Sequence, residues 1–381
     1  MRVLVASDKF KGTVSSADVA AAVGDGVRGV CPQAVVESVL VADGGDGTLA
    51  AAVAAGFELV PVVAAGPTGE AVRSGFARRG ETAVVELADV SGLIRLPGGE
   101  PRPLTATSRG TGEVIAAAID SGCTRVIVGI GGSASTDGGA GLIRALGARV
   151  LDAAGAEVAE GGEALGTASS LEVSAVNDRL KGVEIVVACD VDNPLTGPSG
   201  AAATYGPQKG ATPEQVAVLE AALGHWADLI AGQPDLRLAP GAGAAGGVGF
   251  AALAVLGAKL APGIELMLEL VGFRDRLAGV DLVVTGEGAL DEQTLRGKAV
   301  AGVAAAASAA GIPVVAVCGT NRLDAERLEQ GGIDAAYALT DLQPDVRRCI
   351  ADPVPLLRRL GERIAVERLG PTMRATERGL I

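Results

Sequence analysis

At 381 residues the chain exceeds the roughly 250–300 residues at which a single hydrophobic core divides, so two domains are expected. A net charge of −13, from 32 basic against 45 acidic residues with no dense Lys/Arg cluster, excludes a nucleic-acid binder, and no apolar run reaches the length of a membrane span. Hydrophobic residues make up 49% and aromatic ones only 2%, so the core is built from Ala, Val, Leu and Ile, a composition suited to buried parallel strands under Ala-rich helices.

In chain order, the apolar run 3–6, the loop SDKFKG and the helical Ala/Val spacing of 17–30 predict strand, loop, helix. A strand over 35–41, the loop ADGGDGT and a helix over 49–55 repeat the order. From 57 to 105 short alternating runs broken by Gly and Pro mark a domain crossing. TSRGTGEVIAAAIDSG then predicts loop and helix, CTRVIVGIGGSASTDGGAGLIRALGARV strand, glycine loop, helix and strand, and GVEIVVACDVDNPL a further strand and loop, a doubly wound block. A helix is expected over 213–232 with Pro213 in its first turn, and GAGAAGGVG at 241–249 reads as a flexible glycine run before another helix. VDLVVTGEGALDEQTLRGKAVAGVAAAASAAG and IPVVAVCGT return to the opening pattern. The two chain ends are therefore expected to form one discontinuous α/β domain, 1–65 with 285–381, around an α/β insert at 66–284.

Polar, glycine-containing loops repeatedly follow the apolar strands, where α/β proteins hold ligands. GIGGSASTDGG (129–139) can turn backbone amides toward a phosphate, with Gly131, Gly132, Ser133, Ser135 and Thr136 as candidate nucleotide contacts. It is neither a Walker loop nor a complete dinucleotide fingerprint. Asp190 and Asp192, two apart after a strand, would point to one side in extended geometry and hold Mg²⁺ or take a proton; Asp192 with Asn193 equally reads as the cap of a turn before Pro194. TGEGALDEQTLRGK supplies Asp291 as a second candidate base and Arg296 as an anion-binding cation, while Glu292 reads as a solvated ion-pair partner. Asp8, Lys11 and Asp43, on SDKFKG and ADGGDGT, suit a small hydroxy acid, and Lys9 equally reads as a surface residue. His225, the one histidine, sits beside the one tryptophan in a helical pattern and reads as structural, which leaves proton transfer to Asp or Lys. The five cysteines show no CxxC or His/Cys spacing and read as reduced thiols of a cytoplasmic protein, and MRVLVASDKF does not read as a signal peptide.

Taken together, SDKFKG, DGGDGT (43–48), TSRGTGE (107–113), GIGGSASTDGG, CDVDNPL (189–195), YGPQKGA (205–211) and TGEGALDEQTLRGK (285–298) resemble the class I glycerate kinase family, the bacterial ATP-dependent glycerate 2-kinases. The resemblance covers essentially the whole chain. It implies a Rossmann-like domain from both chain ends, a flavodoxin-like insert and an active site in the cleft between them. It also implies ATP with Mg²⁺ as donor and D-glycerate as acceptor, phosphorylated at the 2-hydroxyl. On this basis Asp190, Asp291 and Lys11 are the catalytic candidates, Asp8, Lys11, Asp43 and Arg296 the substrate contacts, and Asp190 with Asp192 the metal ligands. Phosphorylation at the 3-hydroxyl, or of a related hydroxy acid, stays open. So do a nicotinamide-dependent oxidoreductase and a noncatalytic sugar-acid sensor as readings of the glycine loops alone. A homo-oligomer is compatible with the sequence.

Overall fold

The computed structural model describes residues 1–10, 12–230, 234–295 and 298–370. Among the described residues thirteen strands follow in chain order: β1 (Arg2–Ser7), β2 (Val35–Ser38), β3 (Glu58–Ala65), β4 (Ala71–Arg79), β5 (Thr82–Glu86), β6 (Arg125–Gly129), β7 (Arg149–Leu151), β8 (Ser170–Glu172), β9 (Glu184–Ala188), β10 (Lys259–Ala261), β11 (Leu282–Leu290), β12 (Val314–Asn321) and β13 (Ala335–Ala338). With the intervening helices they form a mixed α/β protein that divides into two compact units: an end-built unit, Met1–Ala42 with Ile264–Ile381, and a central unit, Asp43–Gly263.

These divisions differ from the 65/66 and 284/285 crossings expected from sequence. The reason at the first is strand pairing: β3 runs antiparallel to β4 from Glu58↔Arg78 to Ala65↔Ala71, so it cannot be parted from the hairpin that follows it. At the second, Ile264 packs so closely on Gly302 that a β-carbon there would lie 2.4 Å from its Cγ1, which ties this segment to the helix Ala299–Ala309.

The end-built sheet has the order β13-β12-β11-β1-β2, parallel throughout. Numbered within the unit this is the 2-1-3-4-5 order of flavodoxin-like sheets, with the switch point between β1 and β11. The resemblance had placed that order in the insert and a Rossmann-like sheet here. Val3, Val5, Val284, Val315 and Val317 fill the core on one face, under the helices Ser16–Val30 and Pro353–Leu369. Those helices cross on glycine: a β-carbon on Gly26 would lie 2.0 Å from the Arg358 carbonyl oxygen, and one on Gly361 2.2 Å from that of Val23.

The central sheet, β10-β9-β6-β5-β4-β3, is mixed rather than flavodoxin-like, because β3, β4 and β5 pair antiparallel while β5, β6, β9 and β10 run parallel. Its core includes Phe76, Trp226 and Phe250, all fully buried. The helix Pro213–Leu229 begins in a capping box between Thr212 and Gln215, and on it His225 Nε2 bonds the Ala168 carbonyl at 2.6 Å, a structural use of the lone histidine. Among the described residues no helix is long and apolar enough to cross a membrane, and all five cysteines are free.

Candidate active site

Within the central unit β6 and β9 are adjacent and parallel, and their registers end together at Gly129↔Ala188. The loops that follow therefore open side by side at the carboxyl end of the sheet. Ile130 to Ser133 from one and Cys189 to Val191 from the other line a cavity of about 240 Å³ with Asp43, Tyr205 and Lys209. The loop 43–48 is seated on this pair, since the Gly131 N–H donates to the Gly44 carbonyl at 3.3 Å.

The glycine loop is held from beneath by Asp137. Fully buried, it accepts hydrogen bonds from the Ser108 N–H and hydroxyl, both at 2.8 Å, and from the Gly139 and Gly141 amides, both at 3.2 Å. Burial raises its pKa, and the Ser108 bonds oppose that rise. TSRGTGE thus earns its place by anchoring the loop: Thr107 and Arg109 bond Glu160, and Arg109 also reaches Glu113. Trp226 Nε1 donates to the Gly138 carbonyl at 3.1 Å.

The glycine run 241–249 is a packing surface rather than a flexible one. Gly246 has φ +69°, and a β-carbon on it would lie 2.1 Å from the Ser135 carbonyl oxygen. Beside it Ala245 takes φ 52°, a strained conformation for a residue with a β-carbon, and lines the cavity.

Asp190 lines the cavity where β9 ends, and its Oδ1 accepts the Gly263 N–H at 2.7 Å. Only glycine fits at 263, where a β-carbon would lie 2.0 Å from the Asp43 carbonyl oxygen and 3.0 Å from Asp190 Oδ2. Although the residue keeps solvent exposure, burial of its carboxyl pushes the pKa to about 6, the Gly263 bond opposes this, and the charge of Asp43 adds to it. The expected pairing with Asp192 is not formed in the cavity: Asp192 is exposed and outside the lining, and the second acid of the wall is Asp43. Asn193 beside it crosslinks its own turn, with Nδ2 donating to the Ser199 carbonyl at 2.7 Å and Oδ1 accepting from the Tyr205 hydroxyl.

Of the candidate nucleotide contacts, Gly131, Gly132 and Ser133 line the cavity. Ser135 and Thr136 do not: both are fully buried outside the lining, and their hydroxyls have no hydrogen-bond partner among the described residues. In the end-built unit Asp8 and Asp291 follow β1 and β11, the strands of the switch point. Asp8 Oδ1 accepts the N–H of its neighbour Lys9 at 2.7 Å, and Asp291 Oδ1 accepts the Gln293 N–H at 2.8 Å and so closes a turn of its own backbone. Lys11 and Arg296 lie outside the described residues. Glu292 pairs with Arg327 on the surface, as expected of it.

Two groups of the central unit were not singled out from sequence. Glu86, 6% exposed, accepts the Gly47 and Leu49 amides at 3.1 and 2.8 Å and so caps the helix Thr48–Ala54 behind the DGGDGT loop. Lys209, 2% exposed, lies in the cavity wall and donates to Ser133 Oγ at 2.8 Å and to the Ser135 carbonyl. The only signal for Lys209 was its position in YGPQKGA, where a lysine between Gln and Gly in a polar segment reads as solvent-exposed.

A glycine loop, a carboxyl near neutral pKa and a buried lysine around one cavity are equipment suited to phosphoryl transfer, which needs positioning and charge neutralisation above all. Comparison with known proteins agrees. The model of the glycerate kinase family matches residues 3–368. The chain is 46% identical over 344 residues to the glycerate kinase of Bacillus subtilis, covering 89% of this chain and 90% of that one. It is 44% identical over 345 residues to the glycerate 2-kinase of Escherichia coli, covering 89% and 90%. A solved crystal structure from Salmonella typhimurium LT2, provisionally named glycerate kinase 2, superposes with a TM-score of 0.82 at 39% identity, covering 99% of both chains. The oxidoreductase and sensor readings are thereby set aside, and the chain, a kinase, belongs to the glycerate kinase family.

Proposed function

We propose that the chain transfers the γ-phosphoryl group of ATP to D-glycerate at the 2-hydroxyl, giving 2-phosphoglycerate and ADP. The observation that carries this reading is Asp190, a carboxyl brought to about 6 in the wall of a small cavity whose other wall is a glycine loop. A base is most effective when its pKa lies near the working pH. Asp190 Oδ1 is held by the Gly263 amide, which leaves Oδ2 to accept the proton of the substrate hydroxyl as its oxygen attacks phosphorus. The name of the E. coli relative supports the 2-hydroxyl as acceptor.

The donor set fits a Mg²⁺ that arrives with the nucleotide. Among the described residues no group of three or more His, Cys, Asp or Glu side chains could hold a metal, which argues against a resident cage. Mg²⁺ is commonly held by one or two carboxylates together with substrate phosphates, and Asp43, the other acid of the cavity wall, would supply one. When bound it would neutralise phosphate charge. The free thiols and the absence of a membrane-crossing helix among the described residues support a cytoplasmic enzyme.

The test is to incubate the purified protein with ATP, Mg²⁺ and a panel of small hydroxy acids and to identify products by phosphorus NMR. The expected product is 2-phosphoglycerate. A phosphoryl group on the 3-hydroxyl would overturn the regiochemistry, and no phosphorylated glycerate would overturn the substrate.

A further inference from the structure

We propose that Lys209 is a catalytic residue whose buried ammonium, together with the Ser133 hydroxyl, donates hydrogen bonds to an anionic phosphate oxygen of the bound nucleotide. The inference rests on the kinase reading above and deepens it by naming the cation of the site.

The case begins with placement. Lys209 closes the single turn Pro207–Lys209, followed by Gly210 at φ +85°, and this turn directs its side chain inward until the residue is only 2% exposed. An ammonium has three N–H donors. Two are used, one on Ser133 Oγ at 2.8 Å and one on the Ser135 carbonyl, both neutral acceptors. Lys209 forms no ion pair with a carboxylate of the described residues. Asp137 acts on it only at a distance, and that carboxylate is already occupied by Ser108, Gly139 and Gly141.

A buried cation without a counter-ion is costly, and burial accordingly brings Lys209 down to about 7, with Asp137 opposing the fall. A merely structural staple between two loops would not need a charge there; Gln or Ser would serve without the penalty. An incoming anion relieves it. Ser133 is arranged to assist, because its oxygen accepts from Lys209 and its own proton is left to donate elsewhere. Both residues line the cavity beside Gly131 and Gly132, whereas the amide of Gly131 is already given to Gly44. The side chains, more than that amide, are therefore the donors on offer.

The test compares wild type with Lys209→Met and Ser133→Ala, measuring ATP dissociation by calorimetry without glycerate and then steady-state kinetics with both substrates. Lys209→Met keeps the length of the side chain and removes the charge, and is expected to weaken ATP binding about a hundredfold; Ser133→Ala is expected to weaken it about tenfold. The KM for glycerate should stay within about threefold in both variants, in line with a contact confined to the nucleotide. Should Lys209→Met fail to fold, Ser133→Ala still decides the matter, since it deletes one oxygen from a small side chain. Unchanged ATP binding in a folded variant would reduce Lys209 to a staple and overturn the proposal. A raised glycerate KM with normal ATP binding would also overturn it, by assigning the cation to the acid's carboxylate. Wild-type protein that binds ATP yet phosphorylates no glycerate would defeat the substrate reading while leaving the Lys209 test intact.

Discussion

The two units end their parallel strands in similar-looking polar loops and use them differently. In the end-built unit Asp8 and Asp291, after β1 and β11, bond amides of their own segments, Lys9 and Gln293, and Glu292 joins a surface ion pair with Arg327. In the central unit the loops after β6 and β9 hold two groups against their ordinary ionisation, Asp190 drawn up to about 6 and Lys209 down to about 7. The difference teaches that burial, more than the number of charges in a loop, separates chemistry from turn-making: the Asp190 carboxyl is drawn up chiefly by burial in a cavity wall, whereas Asp291 closes its own turn.

The largest effect expected from this contrast is catalytic. Asp190→Asn should lower kcat by about 10²–10⁴, the usual worth of a positioned base, while Asp291→Asn, which preserves the oxygen that bonds the Gln293 amide, should cost less than about tenfold. Steady-state rates with ATP and glycerate check both. Equal losses would break the comparison by giving the end-built loop a chemical share as large as that of the central one.

How much of this was legible in the sequence follows from range. Alternating apolar runs and glycine loops are local, so the α/β class and the loops at strand ends could be read directly. Strand pairing is not local: nothing in ELVPVVAA says that it zips onto the next nine-residue strand, and the crossing at 65/66 was misplaced for that reason. Asp190 was visible because CDVDNP places an acid just past an apolar strand, at the end of the sheet where α/β proteins hold ligands. Its partner was not, because Asp43 reaches the same cavity wall from a segment almost 150 residues away, whereas Asp192 is its near neighbour in sequence. Lys209 was hidden for a different reason, since burial of a lysine is rare enough that no pattern of neighbouring residues announces it. The glycine run 241–249 was misjudged because φ above zero serves flexible and tightly packed backbone alike.

That last misjudgement gives the second prediction. Gly246 and Gly311 have nearly the same φ, +69° and +70°, but a β-carbon meets the Ser135 carbonyl at 2.1 Å in the first and nothing within 4 Å in the second. Gly311→Ala in the end-built unit should cost about 1–2 kcal/mol, the strain of the left-handed conformation alone. Gly246→Ala should cost about 3 kcal/mol or more, because backbone must move as well. It should also weaken ATP binding, since the displaced carbonyl is one that holds Lys209. Denaturant unfolding of each variant measures the difference, and equal costs would show that the central loops are no more tightly packed than an end-built turn.

The smallest effect has the opposite sign. Asp190 is raised to about 6 in the folded protein from an ordinary value of 3.8, so between these pH values the folded protein retains a proton that the unfolded chain has released. A group raised in this way favours the folded state below its unfolded pKa, and that contribution is lost as pH rises through the folded value. At neutral pH the ionised carboxylate is therefore a burden, which Asp190→Asn removes while keeping an oxygen for the Gly263 amide. Because the residue keeps solvent exposure, the gain is expected to be no more than about 1 kcal/mol, or about 1–3 °C in Tm. Melting curves of the ligand-free proteins should show the variant above wild type at pH 7.5 and level with it near pH 4. A variant that loses turnover and melts higher would mark Asp190 as a group kept for chemistry at the expense of the fold, whereas a lower Tm at neutral pH would make it another turn-closing acid like Asp291.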